Sequence, residues 1–207
     1  MKIEWKKTDK QIYLPGSNPT TVTIPKMKYF CISGIGNPNH EAFAEKIQVL
    51  YGLAYAVRMM PKSGVTPDGY QEYTVYPLEG IWDLTEAGRL SDTLDKDELV
   101  YKIMIRQPDF VTSTIFAMAL DKVRKKAPTP LLEQVAFEEM EDGLCVQMMH
   151  TGTFDSEPMS FARMDAYLNA EGLTRKSKIH KEIYISDFRK TKPEMRKTVL
   201  RYFVKQG

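Results

Sequence analysis

The alternation of apolar and polar residues predicts strands and helices in the first half of the chain. Lys26–Gly34 is a short apolar run and predicts a buried strand. The next segment has apolar residues every three or four positions, which predicts an amphipathic helix that ends before Pro61. Either Asn37 or Asn39 is expected to cap this helix. Its apolar stripe consists of Phe43, Ile47, Leu50, Tyr51 and Ala54.

Two further strands and a second helix complete this half. Tyr70–Trp82 and Leu99–Arg106 are rich in aromatic and β-branched residues, and they predict strands on either side of an acidic loop, Asp83–Glu98. Thr112 is expected to cap the second helix, whose last turn carries basic side chains suited to the negative end of a helix dipole. A proline-containing segment at 128–130 then predicts a linker.

The same order of elements recurs after the linker. The predicted strands are Leu131–Met140, Leu144–Thr151, His180–Tyr184 and Thr198–Val204. The first two are predicted to form a hairpin around Gly143. A third helix follows this hairpin, with Asp155 or Ser156 as its cap and Pro158 in its first turn. The apolar stripe of that helix consists of Phe161, Met164 and Leu168.

These elements predict an α+β fold built from two modules. With an additional edge strand at Gln11–Leu14, each half of the chain has the order strand, strand, helix, strand, strand. The repeated order indicates an internal duplication, with a first module at about residues 11–110, a linking helix at about 112–126 and a second module at about 131–204. Each module buries one sheet face under its helix, and the two remaining faces are expected to form a ligand cleft.

Composition and charge indicate a soluble protein with no strong attraction to nucleic acid or membranes. Of the 207 residues, 43% are hydrophobic and 27% charged, and the formal net charge is only +2. No apolar run reaches the length of a membrane span or of a secretory signal. Cys31 and Cys145 are too few and too far apart in sequence to suggest a disulfide framework, so we expect a cytoplasmic protein.

The strongest chemical candidate lies on the predicted strand His180–Tyr184. Side chains alternate between the two faces of a strand, so Glu182 shares a face with His180 and Tyr184, while Lys181 and the isoleucines share the other. Acids are disfavoured on central strands. In a cleft, Glu182 is able to hold a cation or to act as a general base. The alternative is a solvent-facing glutamate that pairs with a lysine.

Aromatic residues provide the second candidate feature. Tyr70, Tyr73, Tyr76 and Trp82 lie close together in sequence, and Tyr101 lies on the next predicted strand. Aromatic rings bind flat apolar or cationic ligands by stacking and by cation–π attraction. The alternative is that these rings simply pack in the core.

The sequence predicts neither a metal site nor a bound cofactor. The histidines His40, His150 and His180 are scattered and lack metal-ligand spacing with either cysteine. Gly34-x-Gly36 is too short for a dinucleotide fingerprint, and no G-x-S-x-G sequence is present.

Three segments, in this order and spacing, resemble the GyrI-like small-molecule-binding family: Tyr73–Trp82, Val146–Gly152 and His180–Asp187. The resemblance extends over Met27–Val204 and implies a duplicated strand–helix–strand–strand (SHS2-type) module with pseudo-two-fold symmetry. In this family a glutamate on the last of these segments reaches into an aromatic cleft and contacts cationic or polycyclic ligands, and Glu182 is the matching position. The ligand-binding residues that the resemblance implies are Trp82, Tyr76, Tyr70, Phe110, His180 and Met148.

Two tracts, Arg106–Phe110 and Leu78–Trp82, are most similar to a stand-alone subgroup of this family, and no helix-turn-helix pattern accompanies them. Some members hydrolyse cyclopropane-bearing DNA-alkylating natural products, the yatakemycin- and duocarmycin-like cyclopropanoids. The resemblance implies a hydrolase that adds water to a cyclopropane carbon, with Glu182 as the base or water-orienting residue. The candidate donors to the developing phenolate are Tyr73, Tyr101 and Tyr184.

Two other functions are compatible with the same fold. The first is a protein that sequesters polycyclic aromatic or cationic small molecules without turnover. The second is a gyrase-inhibitor-like module that binds a protein partner such as gyrase. Fold alone does not choose between an enzyme and these alternatives. Direct binding to nucleic acid or to membranes is not expected for any of the three.

Overall fold

Antiparallel strands with helices packed against them make up the fold. The computed structural model describes residues 2–188 and 190–207. In chain order, the elements are α1 (Trp5–Thr8), α2 (Lys10–Tyr13), β1 (Thr20–Ile35), α3 (Glu41–Arg58), β2 (Leu78–Leu84), α4 (Glu86–Leu90), β3 (Leu99–Gln107), α5 (Ser113–Lys126), β4 (Ala136–Thr151), α6 (Glu157–Ala170), β5 (Leu173–Tyr184) and β6 (Lys197–Gln206). Short 3₁₀ helices lie at Pro61–Ser63, Lys96–Glu98, Pro130–Gln134, Phe154–Ser156 and Pro193–Met195. Within the described residues, no helix combines the length and the apolar character that crossing a membrane requires.

Contacts between residues divide the chain into two compact units, which we describe separately. Unit 1 consists of the residues up to Glu4, Met27–Leu78 and Leu84–Met140. Unit 2 consists of Trp5–Lys26, Glu79–Asp83 and Glu141–Gly207. Each unit is therefore assembled from separate segments of the chain, and β1, β2 and β4 each contribute residues to both.

Unit 1 is built around the antiparallel pair β1 and β3. Their register runs from Lys28 opposite Gln107 to Ile35 opposite Val100. The long helix α3 packs on β3 and on α5. The apolar core that results includes Phe30, Ile32, Leu50, Leu53, Ile103 and Ile105. Cys31 is buried in this unit as a free thiol, and burial, with a smaller contribution from Glu138, raises its pKa to about 12.

Unit 2 contains a sheet in the order β2, β5, β6, β4, covered by α6. Its main apolar cluster comprises Val146, Met148, Met164, Leu168, Leu173, Leu200, Tyr202 and Val204. Each fully buried leucine or valine of this kind stabilises the fold by about 1.5–3 kcal/mol. Cys145 is the second buried free thiol, and burial raises its pKa to about 11.

The strand register of unit 2 places Glu182 in the middle of the sheet. Strand β6 pairs with β5 on one side and with β4 on the other. Glu182 lies opposite Leu200, and Leu200 lies opposite Met148. In the next row of the same face, Tyr184 lies opposite Thr198. The register between β5 and β6 shifts once, before His180, so these rows hold for the end of β5 that carries Glu182.

The predicted α+β class and the three long helices are confirmed. Thr112 caps α5 as predicted, and its hydroxyl accepts a hydrogen bond from the Ile115 N–H at 3.3 Å. Ser156 precedes the first residue of α6, and a proline lies in the first turn of that helix. The predicted asparagine cap of α3 is wrong, because the helix begins at Glu41 with His40 in the capping position.

Three predicted elements are wrong. The predicted hairpin around Gly143 is one continuous strand, β4, in which Gly143 has φ of +67°. Glycine adopts this conformation readily, so a turn-like sequence here marks a distortion within a strand. The predicted edge strand Gln11–Leu14 is instead part of the helical turn α2. Of the predicted strand Tyr70–Trp82, only Leu78–Trp82 belongs to a strand, β2, which continues to Leu84, and the predicted acidic loop contains α4.

Candidate functional site

The carboxylate predicted on β5 is buried in unit 2. Glu182 is only 8% exposed, and two neighbours on its face of the strand bind it. His180 Nε2 lies 3.1 Å from Glu182 Oε1, and the Tyr184 hydroxyl donates to Oε2 at 2.8 Å. Strand alternation places all three side chains on one face, as the sequence predicts. The alternative of a solvent-facing glutamate paired with a lysine is therefore wrong.

A tryptophan from β2 supports the tyrosine. The Trp82 Nε1–H donates to the Tyr184 hydroxyl at 2.8 Å, so hydrogen bonds run from Trp82 to Tyr184 and from Tyr184 to Glu182. Glycine at position 80 provides space for this chain. A Cβ at Gly80 would lie 2.8 Å from Trp82 Nε1 and 3.4 Å from the Tyr184 hydroxyl oxygen.

Electrostatics keep the Tyr184 phenol protonated. Burial raises the pKa of Tyr184 well above its ordinary value, and the negative charge and the hydrogen bond of Glu182 raise it further. The hydrogen bond from Trp82 lowers this pKa but does not reverse the shift. Tyr184 therefore remains a hydrogen-bond donor to Glu182 throughout the neutral pH range.

A second acid, Glu157, occupies the first turn of α6 and is also buried. It is 6% exposed, and its Oε1 has no hydrogen-bond partner among the described residues. Desolvation raises the pKa of Glu157 to about 9, with additional contributions from the negative charges of Glu182 and Asp155. Glu157 is therefore a neutral carboxylic acid at pH 7, which is unusual for a glutamate.

Aromatic rings fix α6 against β5. Phe161 lies edge-on to His180, with ring centroids 5.0 Å apart, and it stacks on Tyr202 at 5.4 Å. At the start of the helix, Phe154 contacts Tyr184 edge-on at 6.2 Å. Phe154 is 43% exposed, so this end of the site leads to the surface of unit 2.

A buried histidine on β4 also fixes the start of α6. His150 Nδ1 lies 2.9 Å from Ser160 Oγ, and its Nε2 lies 3.0 Å from the Thr153 carbonyl oxygen. Both partners flank Glu157 in sequence. The position of the Glu157 carboxyl is therefore determined by packing and hydrogen bonds on either side of it.

The opposite face of β5 carries a different set of charges. Lys181 Nζ donates to both oxygens of Asp142 at 2.7 Å and lies 3.4 Å from Glu79 Oε2. Arg201 Nη1 donates to Asp142 Oδ2 at 2.9 Å, and two guanidinium nitrogens donate to Gln147 Oε1. Every one of these side chains is buried. The sequence places Lys181 on the apolar face of β5 but does not reveal this network.

The predicted ligand-binding residue Met148 lies in the apolar cluster of unit 2. It is 1% exposed, and its row in the sheet contains Leu200 and Glu182. Its side chain contributes to the packing under α6. Met148 is therefore a core residue in the same row of the sheet as Glu182.

Three of the predicted aromatic residues form a cluster in unit 1. Phe110 contacts Tyr70 at 5.3 Å and Tyr73 at 6.0 Å between ring centroids. The Tyr73 hydroxyl donates to the Ala54 carbonyl at 3.3 Å, and burial raises the pKa of Tyr73. The Tyr70 hydroxyl donates to the Arg58 carbonyl at 2.9 Å. These side chains pack and hydrogen-bond within unit 1, as in the alternative of aromatic core packing.

The remaining two predicted aromatic residues also belong to unit 1. Tyr76 lies beneath the Arg106 guanidinium, 4.6 Å from the ring centroid. The Tyr101 hydroxyl accepts a hydrogen bond from Lys46 Nζ at 3.2 Å, and its ring lies over Gly34. The structure therefore gathers Glu182, His180, Tyr184 and Trp82 into one cluster, and assigns the other aromatic candidates to the other unit.

Glu157 is not among the site residues predicted from the sequence. The signal that identifies it is helical spacing, because Glu157 precedes Phe161, Met164 and Leu168 by four, seven and eleven positions. An acid in the apolar stripe of a helix is expected to be buried. The combined cluster supplies a hydrogen-bonded carboxylate, a neutral carboxylic acid and several aromatic rings, which are able to bind, orient and transfer a proton.

Comparison with known proteins identifies relatives of the whole chain. The profile of the GyrI-like small molecule binding domain matches residues 17–204. No curated protein matches the chain. The crystal structure of a hydrolase from Listeria innocua is similar, with 35% sequence identity, a TM-score of 0.89, and coverage of 98% of this chain and 100% of that chain.

Two further structures are similar. An uncharacterized conserved protein from Listeria innocua has 36% identity and a TM-score of 0.91, with coverage of 98% of this chain and 100% of that chain. The C-terminal domain of EcmrR has 11% identity and a TM-score of 0.54, with coverage of 95% and 99%. At that identity, the likeness to EcmrR concerns the fold alone.

Proposed function

Because the chain belongs to the GyrI-like small molecule binding domain family, we propose that the Glu182 cluster binds a flat polycyclic or cationic small molecule and hydrolyses cyclopropanoid electrophiles of the yatakemycin and duocarmycin type. The observation that carries this proposal is the buried Glu182 carboxylate, held by His180 and by the Trp82–Tyr184 pair. The similarity to a Listeria innocua protein described as a hydrolase supports hydrolysis over simple binding.

The proposed reaction is the addition of one water molecule to a strained ring. Glu182 accepts a hydrogen bond from this water and takes its proton as the water oxygen bonds to the cyclopropane carbon. The ring carbon–carbon bond breaks, and its electron pair moves through the conjugated system to the dienone oxygen. That oxygen becomes a phenolate and needs a proton or a hydrogen-bond donor. The reaction consumes only water and needs no oxidant or reductant.

Tyr184 is the tyrosine that we assign to this site. It contacts Glu182 directly, whereas the Tyr73 hydroxyl donates to the Ala54 carbonyl, and the Tyr101 hydroxyl is bonded by Lys46. In the proposed mechanism, the Tyr184 hydroxyl, which accepts a hydrogen bond from Trp82, donates to the Glu182 carboxylate and orients it toward the attacking water. The exposed ring of Phe154 and the ring of Tyr184 provide stacking surfaces for a flat substrate.

The test is an assay of a duocarmycin-type dienone with the purified protein. Loss of dienone absorbance over many turnovers, with a product one water heavier by mass spectrometry, supports hydrolysis. Glu182→Gln keeps the size of the side chain but removes the base, and we expect kcat to fall by about 10²–10⁴-fold. Glu171→Gln, an exposed acid of the same unit, serves as the matched control and is expected to retain the wild-type rate.

Two outcomes contradict this proposal. If the wild-type protein consumes only one equivalent of dienone, it is a sequestering protein and not an enzyme. If Glu182→Gln turns over at the wild-type rate, the hydrolysis does not depend on Glu182, and the site lies elsewhere.

We also propose that the chain arose by duplication of a strand–helix–strand–strand module. The order β1, α3, β2, β3 is repeated as β4, α6, β5, β6, which supports this origin.

We also propose a cytoplasmic location, since the two free thiols suit a reducing compartment.

A further inference from the structure

Ring contacts fix how α6 packs on β5, the two elements that carry the buried acids of unit 2. At one end of this contact, Phe154 meets Tyr184, and at the other end Phe161 meets His180. The helix and the strand therefore run in opposite directions. Glu157 lies between the two phenylalanines in sequence, just as Glu182 lies between His180 and Tyr184.

The distances along the helix and along the strand agree with a pairing of Glu157 with Glu182. From Glu157 to Phe161 the helix advances about 6 Å, and from Glu182 to His180 the strand spans about 6.6 Å. With Phe161 against His180, Glu157 is therefore aligned with Glu182. Its place in the apolar stripe of α6 directs the carboxyl group toward the sheet, which agrees with its burial.

The charges around Glu157 oppose its ionisation. Among the described residues, those that act on Glu157 are the acids Glu182 and Asp155. The basic side chains Lys181 and Arg201 are bonded to Asp142 on the other face of the sheet. Two adjacent buried carboxyl groups cannot both ionise without a counter-charge.

Hydrogen bonding distinguishes the two acids. The Tyr184 hydroxyl donates to Glu182 Oε2, and His180 Nε2 lies 3.1 Å from Glu182 Oε1. Glu157 Oε1 has no such partner among the described residues, so its neutral form is favoured. The pair therefore consists of a hydrogen-bonded carboxyl group on β5 and a protonated acid on α6.

We propose that Glu157 is the proton donor of this site, so that Glu182 and Glu157 act as base and acid on one neutral, flat electrophile whose oxygen becomes negative during the reaction. This inference rests on the proposed hydrolysis and deepens it. As Glu182 takes a proton from the attacking water, the oxygen that receives the electron pair of the broken bond takes the proton of Glu157. Return of one proton from Glu182 to Glu157 restores the starting state. A neutral carboxylic acid close to a second carboxyl group is typical of acid–base sites.

The test compares pH–rate profiles of three variants. In the wild-type enzyme, we expect kcat to fall as the pH rises through the pKa of Glu157, which is about 9, because the donor is lost. Glu157→Gln keeps the shape of the side chain, and we expect it to lower kcat by about 100-fold or more and to abolish this basic limb. Tyr184→Phe is expected to retain the limb, and the exposed-acid control Glu171→Gln to match the wild type.

A second measurement reports the protonation state of the Glu157 carboxyl group directly. Carboxyl ¹³C NMR of the ligand-free protein, with Glu157→Gln used to assign the resonance, is expected to show Glu157 titrating far above the ordinary carboxyl range. This readout does not depend on turnover, and a merely structural role for Glu157 would not require it.

The outcomes separate this inference from the proposed function. If the wild type hydrolyses the dienone but Glu157→Gln keeps its rate and its basic limb, the donor role is overturned while hydrolysis stands. A limb that disappears in Tyr184→Phe and persists in Glu157→Gln assigns the donor to the tyrosine instead. Titration of Glu157 in the ordinary carboxyl range also overturns the inference. If the wild type never turns over, the proposed function itself fails.

Discussion

The two faces of β5 bury acids in two different ways. On one face, Asp142 is neutralised by Lys181 and Arg201, with three charge-assisted hydrogen bonds of 2.7–2.9 Å. On the other face, Glu182 and Glu157 have no described lysine or arginine bonded to them, and one of the two keeps its proton. The two faces of one strand therefore differ: buried acid is neutralised by cations on one face and by a retained proton on the other.

The difference between the faces agrees with the proposed roles, in which the Asp142 network serves stability and the Glu182–Glu157 pair serves chemistry. A carboxylate bonded by two cations is fixed in its charged form, because the cations lower its proton affinity. Burial alone raises the pKa of Asp142, but the attraction of Lys181 and Arg201 and their hydrogen bonds reverse this, and its pKa lies below the ordinary value. Among the described residues, no lysine or arginine is bonded to Glu157, so its protonation is able to change during a reaction. Perturbed acids without a cation are candidates for proton transfer.

Removing the Asp142 carboxylate is expected to have the largest effect, a loss of folding stability. Asp142→Ala leaves Lys181 and Arg201 buried with less negative charge, and we expect the free energy of unfolding to fall by about 3–5 kcal/mol. Urea denaturation measures this change. The exposed Asp121→Ala, which removes a surface pair with Lys125, is the control and is expected to stay within about 0.5 kcal/mol of the wild type. If both variants lose equally little, the buried network does not stabilise the fold.

The two faces are expected to have opposite pH dependences of stability. The pKa of Asp142 is lowered by folding, so its stabilisation is present above the ordinary pKa and is lost as the pH falls toward the folded-state value. The pKa of Glu157 is raised from 4.5 to about 9, so its contribution is greatest below 4.5 and declines as the pH rises toward 9.

The pH dependence due to Glu157 is measured as the difference in free energy of unfolding between the wild type and Glu157→Gln. Glu157→Gln mimics the neutral acid at every pH. We expect the wild type to lose stability relative to this variant by about 1.4 kcal/mol per pH unit between about pH 5 and about pH 8. Urea denaturation across that range gives the slope. A difference that does not change with pH would mean that Glu157 ionises in the folded protein as it does in the unfolded chain.

The smallest expected effect is that of removing the hydrogen bond from Trp82 to the Tyr184 hydroxyl. Trp82→Phe removes the N–H that donates to the Tyr184 hydroxyl, and a neutral hydrogen bond contributes about 0.5–1.5 kcal/mol. We therefore expect kcat with a cyclopropanoid dienone to fall by up to about tenfold. Trp5→Phe, at the other tryptophan of the chain, is the matched control and is expected to leave kcat of the folded protein unchanged. Equal losses in both variants would indicate a general effect of tryptophan removal.

The sequence predicts those features that depend on neighbours along the chain. Helical spacing and the Thr112 cap predict α5, and strand alternation places His180, Glu182 and Tyr184 on one face. Both rules follow from local backbone geometry. They are sufficient to identify the carboxylate and its two nearest partners.

Features that depend on pairing between distant segments are not predicted in this way. Gly143 has the same local sequence signal in a turn and in a distorted strand, and only the pairing of β4 with β6 decides between them. The aromatic residues Tyr70 and Tyr73 look alike in sequence whether they line a ligand site or pack in a core. Their hydrogen bonds to backbone carbonyls become apparent only in the folded protein.

The proposed substrates are alkylating compounds, and this gives the two buried thiols a further meaning. Cysteine is the softest nucleophile in a protein, and its thiolate is the reactive form. Cys31 and Cys145 are the only cysteines of the chain; both are buried, with pKa values of about 12 and about 11. Each thiol is therefore protonated and shielded at neutral pH. For the proposed turnover of cyclopropanoids, this shielding is expected to prevent self-alkylation, which would limit each protein molecule to a single encounter.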